Sequence, residues 1–372
     1  MRGVTGTGFW WDEKCFWHSG GNYAFIVPVG DLVQPLAAGG LPENPETKRR
    51  LKNLLHVTGL IDELAVSSAP MATEEELRRV HPAAYLEAFR MLSDDRGGEL
   101  GERTPFGPGG YEIARLSAGL ATEALRAVLS GRQRNAYALS RPPGHHCLPD
   151  RPMGFCLLAN IAIAVEAALA EKRAGRIAVV DWDVHHGNGT EAVFYERDDV
   201  LTISLHQENN YPRGTGAVTD RGAGRGEGCN INIPLPPGTG HAGYMHAFER
   251  IVLPALDAYR PDAIVIACGF DASGVDPLSR MLASSKTFAE MTRMVMDAAD
   301  RLCGGRLVLV HEGGYSEAHV PFCGHAVIAT LAGSQIVAAD PLQPRLDFQQ
   351  PNAELTAFQI ATIDRMAEFL GF

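Results

Sequence analysis

Residues 176–189 read RIAVVDWDVHHGNG, and both the fold and the chemistry of the chain turn on them. An apolar run, Ile177 to Val180, ends in Asp181-x-Asp183-x-His185, followed by His186, Gly187 and Gly189. Alternate side chains of an extended strand share a face, so Asp181, Asp183 and His185 point the same way. Two carboxylates held side by side repel unless a positive charge lies between them. The pattern asks for a cation at a strand end. A plainer alternative has the carboxylates capping a helix over 188–196 while the histidines merely pack. The attached glycines and the clusters described next weigh against it.

Outward from this stretch, short apolar runs alternate with helix-length segments. The runs are AYALS (136–140), RIAVVDWD (176–183), VLTISLH (200–206), CNINIPL (229–235), AIVIACG (263–269) and RLVLVHE (306–312). Helical patterns cover 46–65, 73–93, 110–130, 156–174, 242–259, 286–302 and, last, 353–370. Strands alternating with helices predict an α/β fold with a predominantly parallel, multi-stranded sheet flanked by helices on both faces. Near-continuous apolar strands agree, because such strands are buried on both sides. No linker divides the chain, so 1–372 reads as a single domain. Residues 1–45, rich in Trp, Gly and Pro, read as a loop-rich N-terminal cap, and 353–370 as a C-terminal helix.

The chemically capable residues sit where four runs end: His145-His146, Asp181/Asp183/His185, Asp271 and Tyr315. Parallel strands would bring all four clusters to the carboxyl edge of the sheet, where ligands bind in open α/β folds. Asp183, His185 and Asp271 form a three-ligand set with an open position, the pattern of catalytic zinc. Oxygen-rich donors also admit Fe(II) or Mn(II). The adjacent histidines of SRPPGHHCLPD (140–150) read as a metal pair or, with the metal held elsewhere, as proton-transfer groups. In HEGGYSEAH (311–319) a Gly-Gly turn presents Tyr315, whose hydroxyl either packs or donates to an oxyanion.

Composition narrows the partners. The net charge is −11, and no basic run exceeds Lys48-Arg49-Arg50, which argues against direct nucleic-acid binding. An acidic surface tolerates a cationic substrate or simply keeps the chain soluble. Seven cysteines without a CxxC pair read as reduced thiols in a cytoplasmic protein. The N-terminus lacks a signal peptide's order, and no apolar run reaches membrane-spanning length.

RPPGHH (141–146), MGFC (153–156), DWDVHHGNGT (181–190), ISLH (203–206), GFDASGVDP (269–277) and EGGY (312–315), in this order, resemble the arginase/deacetylase superfamily. More narrowly they resemble the class II histone deacetylases and the bacterial histone-deacetylase-like amidohydrolases, over about residues 45–335. The resemblance implies Zn2+, with Fe2+ as the alternative, on Asp183, His185 and Asp271. It implies His145 and His146 as a proton-transfer pair, His146 being the general base, with Asp181 orienting His145 and Tyr315 donating to the carbonyl oxygen. Gly154, Phe155, Tyr211 and Leu278 would line an acyl-lysine channel, with Cys156 near its floor and Glu102 at its rim. A structural K+ would use Asp181, Ser204 and the backbone of Leu205.

Three positions depart from patterns found elsewhere in the family. Asn188 stands where class I enzymes carry a second Asp, and Tyr211 where a channel Phe is usual. Leu278 stands where a polyamine-selective relative carries a gatekeeping Glu. The resemblance thus implies deacetylation of acetyl-lysine-type amides. Its rivals are an acetylpolyamine or other small-amide hydrolase, a metallo-ureohydrolase, and a catalytically dead acyl-lysine binder. The substrate would be an acetylated lysine side chain or a small acetylated amine, and homo-oligomer formation stays open.

Overall fold

Each of the six apolar runs forms a strand, and two further strands join them in one sheet. The computed structural model describes residues 5–30 and 40–372. In chain order the sheet strands are β1 (Thr5–Trp10), β2 (Ala65–Ser67), β3 (Gln133–Ala138) and β4 (Ile177–Asp181). They continue with β5 (Val200–Gln207), β6 (Asn230–Leu235), β7 (Ala263–Cys268) and β8 (Leu307–His311). Their spatial order is β6-β5-β4-β7-β8-β3-β1-β2, and every pairing is parallel.

Alternation along the central strands divides the core in two. Ala178, Val180, Ile264, Ile266, Leu307 and Leu309 face one side. Ile177, Val179, Ala263, Val265, Val308 and Val310 face the other. The first side packs against Leu51 and Leu55 of helix Glu46–Thr58, Val295 of helix Ser285–Cys303 and Val327 of helix Val320–Ala332. The second packs against Leu120 and Leu125 of helix Gly110–Leu129 and Ile163 of helix Asn160–Ala170. Both faces are therefore dry, which is why these strands carry apolar residues at consecutive positions.

The N-terminal segment departs from the expected irregular cap. Residues 5–10, TGTGFW, form β1 inside the sheet, between β3 and β2. Phe9 is opposite Tyr137 in the register, and the rings stack at 6.1 Å. The Thr7 hydroxyl donates to Asn135 Oδ1 at 2.7 Å. Cross-strand neighbours, not intrinsic propensity, make this strand. Helix Val320–Ala332, VPFCGHAVIATLA, was also silent in the sequence, because a helix buried nearly all round shows no polar stripe. The predicted helix over 46–65 ends at Thr58, where Gly59 takes a left-handed φ of 82° and its N–H bonds back to His56.

If β1 is an integral strand, Phe9→Ala should lower the unfolding free energy by roughly 3–5 kcal/mol, as for other buried aromatic truncations. Denaturant unfolding measures this, and a loss under about 1 kcal/mol would place the segment outside the core.

Candidate metal centre and active site

Four adjacent strands in the middle of the sheet, β4, β7, β8 and β3, carry all the sequence-predicted clusters at their carboxyl ends. In sequence they are the fourth, seventh, eighth and third strands, so the chain reverses direction across this point. Such a reversal opens a crevice at the strand ends. Register fixes the alignment: Asp181 lies opposite Ala267, Cys268 opposite His311, and Val310 opposite Ala138. Residues one to eight positions beyond these pairs then fall together.

Asp183, His185 and Asp271 converge with their donor atoms within 4.8 Å of one another, all buried. His185 Nδ1 lies 3.0 Å from Asp183 Oδ1 and 3.0 Å from Asp271 Oδ2. Backbone N–H groups aim both carboxylates: Gly313 N–H donates to Asp183 Oδ2 at 2.8 Å and Val184 N–H to Asp271 Oδ1 at 2.8 Å. Two buried carboxylates thus share one imidazole. Burial alone would lower the His185 pKa, yet the Asp271 and Asp183 charges raise it to about 10. Burial likewise pushes Asp271 up to about 6. One positive charge for two anions in a dry site is an imbalance that a divalent cation corrects. The donor set fits such an ion.

The helix-capping alternative is not what forms. Helix Asn188–Phe194 begins at Gly187 without a side-chain cap. Asp181 instead accepts from His145 Nδ1 at 2.9 Å and from Asp183 N–H at 3.0 Å.

The histidine rings lie 3.9 Å apart between centroids and have different partners. His145 faces the Asp181 carboxylate, whereas His146 Nδ1 faces the Asn188 amide oxygen at 2.8 Å. An amide oxygen only accepts, so His146 carries its proton on Nδ1 and leaves Nε2 free. Burial lowers both imidazoles, but Asp183 and Asp181 reverse this for His145 and hold it well above its ordinary value. His146 has no such carboxylate partner; burial and then the charges of His145 and His185 hold it well below. The two rings are thus biased apart, His145 toward its charged form and His146 toward its neutral form.

Two buried carboxylates that sequence reasoning gave no role hold the surrounding loops. Glu312 Oε2 accepts Gly144 N–H at 2.7 Å and His145 N–H at 3.1 Å, fixing the loop of the histidine pair. Asp276 accepts Tyr315 N–H at 2.8 Å and Leu278 N–H at 2.9 Å. The available signal was placement: Glu312 directly follows a buried strand and precedes Gly-Gly, and Asp276 precedes Pro277 five residues after Asp271.

A cavity of about 830 Å³ opens over the centre, and Gly154, Phe155, Tyr211, Leu278 and Tyr315 line it together with His146 and His185. Phe155 meets Tyr315 edge-on at 5.7 Å, and Tyr211 meets His146 edge-on at 5.0 Å. A Cβ on Gly313 would lie 2.6 Å from Asp183 Oδ2 and 2.9 Å from the Tyr315 hydroxyl. That glycine therefore leaves the phenol and the carboxylates facing one small space. Burial and then the Asp271 charge hold the Tyr315 phenol well above its ordinary pKa, so it remains a donor. Cys156, expected near the floor, is buried beside Gly154, where its Sγ receives His146 N–H at 3.4 Å. Glu102 stands on the lining and half-exposed, next to Arg103. Ile26, which the sequence did not flag, reaches the cavity from the hairpin pairing Tyr23–Ala24 with Val27–Pro28. Ser204 lies opposite Asp181 in the β4–β5 register and receives Gly187 N–H at 3.4 Å.

Comparison with known proteins identifies the family of the chain. Residues 41–331 match the histone deacetylase domain family. The chain belongs to the histone deacetylase family. It is 59% identical over 365 residues to the histone deacetylase-like amidohydrolase of Pseudomonas aeruginosa, covering 98% of this chain and 96% of that one. Histone deacetylase 8 of Arabidopsis thaliana is 34% identical over 326 residues, covering 84% and 86%. The crystal structure of the HDA15 HD domain superposes with a TM-score of 0.83 at 32% identity, covering 98% of this chain and 97% of that one. As a histone deacetylase family member, the chain is a hydrolase acting on amides, and its family is metal-dependent.

Glu312→Leu removes the acceptor of two buried N–H groups, each worth about 1–3 kcal/mol when left unpaired. Unfolding should therefore be easier by that order, as denaturant titration measures. Equal stability of Glu312→Leu and the parent chain would remove Glu312 from the support of that loop.

Proposed function

We propose that this protein is a zinc-dependent deacetylase that removes acetyl groups from acetyl-lysine-type amides. The observation that carries the reading is the convergence of Asp183, His185 and Asp271 beside the His145–His146 pair at the base of a cavity. Asp183, His185 and Asp271 would hold Zn2+, with Fe2+ compatible with the same donors. When bound, the ion supplies Lewis-acid polarisation of the amide carbonyl and a water of lowered pKa.

The rest is done by the chain. His146, neutral with Nε2 free, takes the proton of the attacking water. The Tyr315 hydroxyl donates to the carbonyl oxygen as negative charge develops there. A protonated member of the histidine pair then delivers a proton to the leaving amine. Asp181 keeps His145 oriented and charged, and Asn188 gives His146 a partner without charge, so the pair is divided into one resting acid and one resting base. Phe155 and Tyr211, both on the lining, would flank the aliphatic stem of the substrate. Asp181, Ser204 and the Leu205 backbone would take a structural K+.

Leu278 on the cavity lining favours an acetylated lysine over an acetylated polyamine, because its apolar side chain offers a second ammonium no partner. The seven cysteines are all free and six are buried, which supports a reducing, cytoplasmic setting. Among the described residues no helix is long and apolar enough to cross a membrane.

A fluorogenic acetyl-lysine peptide tests the reading. Activity should disappear with a chelator and return with Zn2+; activity indifferent to chelation would falsify the metal mechanism. Tyr315→Phe should retain metal and lower kcat by about 10²–10³, the usual cost of one oxyanion donor. Acetylputrescine should be the poorer substrate by kcat/KM.

A further inference from the structure

The wall of the cavity that faces solvent carries more positive charge than the molecule around it. Arg103, Arg151 and Arg213 all line it, against Glu102 and Glu191. The two acids are already engaged. Glu102 pairs with Arg103 at 3.6 Å. Glu191 Oε2 takes Asn230 Nδ2 and Asn232 Nδ2, each at 2.7 Å, and faces His186 Nε2 at 3.2 Å. Arg151 and Arg213 are exposed and form no ion pair with any described residue. In a chain of net charge −11, two arginines without an ion pair on one cavity lining are a local inversion of sign.

Tyr211 adds a second, independent observation. Its hydroxyl is buried and has no hydrogen-bond partner among the described residues, although the residue lines the cavity. Burial and then Glu102 hold the phenol well above its ordinary pKa, so it stays a donor; Arg103 and Arg151 are the opposing charges within reach. The guanidinium of Arg103 lies 5.5 Å from the centre of the Tyr211 ring. A buried hydroxyl without an acceptor costs stability unless something supplies one. Free O–H and guanidinium groups both select an anionic acceptor.

We propose that Tyr211, Arg151 and Arg213 form an anion-recognising subsite, so that the preferred substrate is an acetyl-lysine flanked by acidic residues. This rests on the deacetylase reading and adds the charge of the neighbouring chain. Acetylated lysine enters the cavity, and a carboxylate one or two residues away meets the exposed arginines of its lining. Lysine-rich flanks, as in a strongly basic tail, meet repulsion instead. Exposed pairs are screened by salt, so the preference is largest at low ionic strength.

The experiment compares kcat/KM on acetyl-lysine peptides with Asp/Glu, Gly or Lys/Arg flanks, at low and high salt. Acid-flanked peptides should exceed neutral ones by about 1.5- to fivefold for each arginine engaged, and high salt should narrow the gap. Arg151→Glu with Arg213→Glu should reverse the order of acid- and base-flanked peptides. Tyr211→Phe should shrink the acid-to-neutral ratio. Equal turnover of all three flanks, or a preference for basic ones, overturns the subsite while leaving the deacetylase reading intact. A preference that follows a carboxylate in the acyl group, seen with succinyl-lysine on neutral flanks, also overturns it, because the anion would then lie on the wrong side of the amide. Failure to cleave any peptide after Zn2+ loading removes the deacetylase reading and the subsite with it.

Discussion

Two carboxylates, Asp183 and Asp271, face one imidazole while buried from solvent, and this electrostatic imbalance governs the site. Buried like charges separate unless a cation holds them or the fold forces them together. Here the fold forces them. Asp183 is two residues past β4 and Asp271 three past β7, and the two strands pair directly. Backbone N–H groups from Val184 and Gly313 then hold the oxygens inward at 2.8 Å. The local instability is sustained by the dry, interdigitated strands beneath it, whose apolar faces have no other way to be buried.

Around that centre the same device recurs. A buried carboxylate accepts backbone N–H groups from a loop that belongs to a different strand. Glu312, after β8, holds the loop after β3, and Asp276, after β7, holds the loop after β8. Each bond crosses between strand ends, so the four loops are fastened to one another and not merely to their own strands. Precision at the histidine pair and at Tyr315 follows from these cross-links, since loops joined only at their ends would place side chains more loosely.

How much of this was legible in the sequence depended on burial at each position. The six strands β3 to β8 could be read because burial on both faces demands consecutive apolar residues. The site could be read because its acids and histidines interrupt those runs at their ends. β1 could not: TGTGFW has two glycines, and what makes it a strand is Phe9 on Tyr137 and Thr7 on Asn135, partners more than a hundred residues away. Helix 320–332 was hidden by the opposite cause, too little contrast between its faces. Glu312 and Asp276 give no sign of their role in the sequence, since a carboxylate that serves backbone N–H groups has no partner spacing to betray it. Ile26 was out of reach because a hairpin far from the motifs delivers it.

The charge of the chain taught the least. A net −11 suggests indifference or attraction toward cations, and that inference averages over a surface the substrate never touches. Fields in a cleft are set by the few charges lining its low-dielectric walls. There the acids are spoken for, Glu102 by Arg103 and Glu191 by two asparagines, and what remains free is positive. Partner choice for a charged cleft therefore follows from which lining groups lack partners, a property of pairing in three dimensions, and not from the sum of signs along the chain.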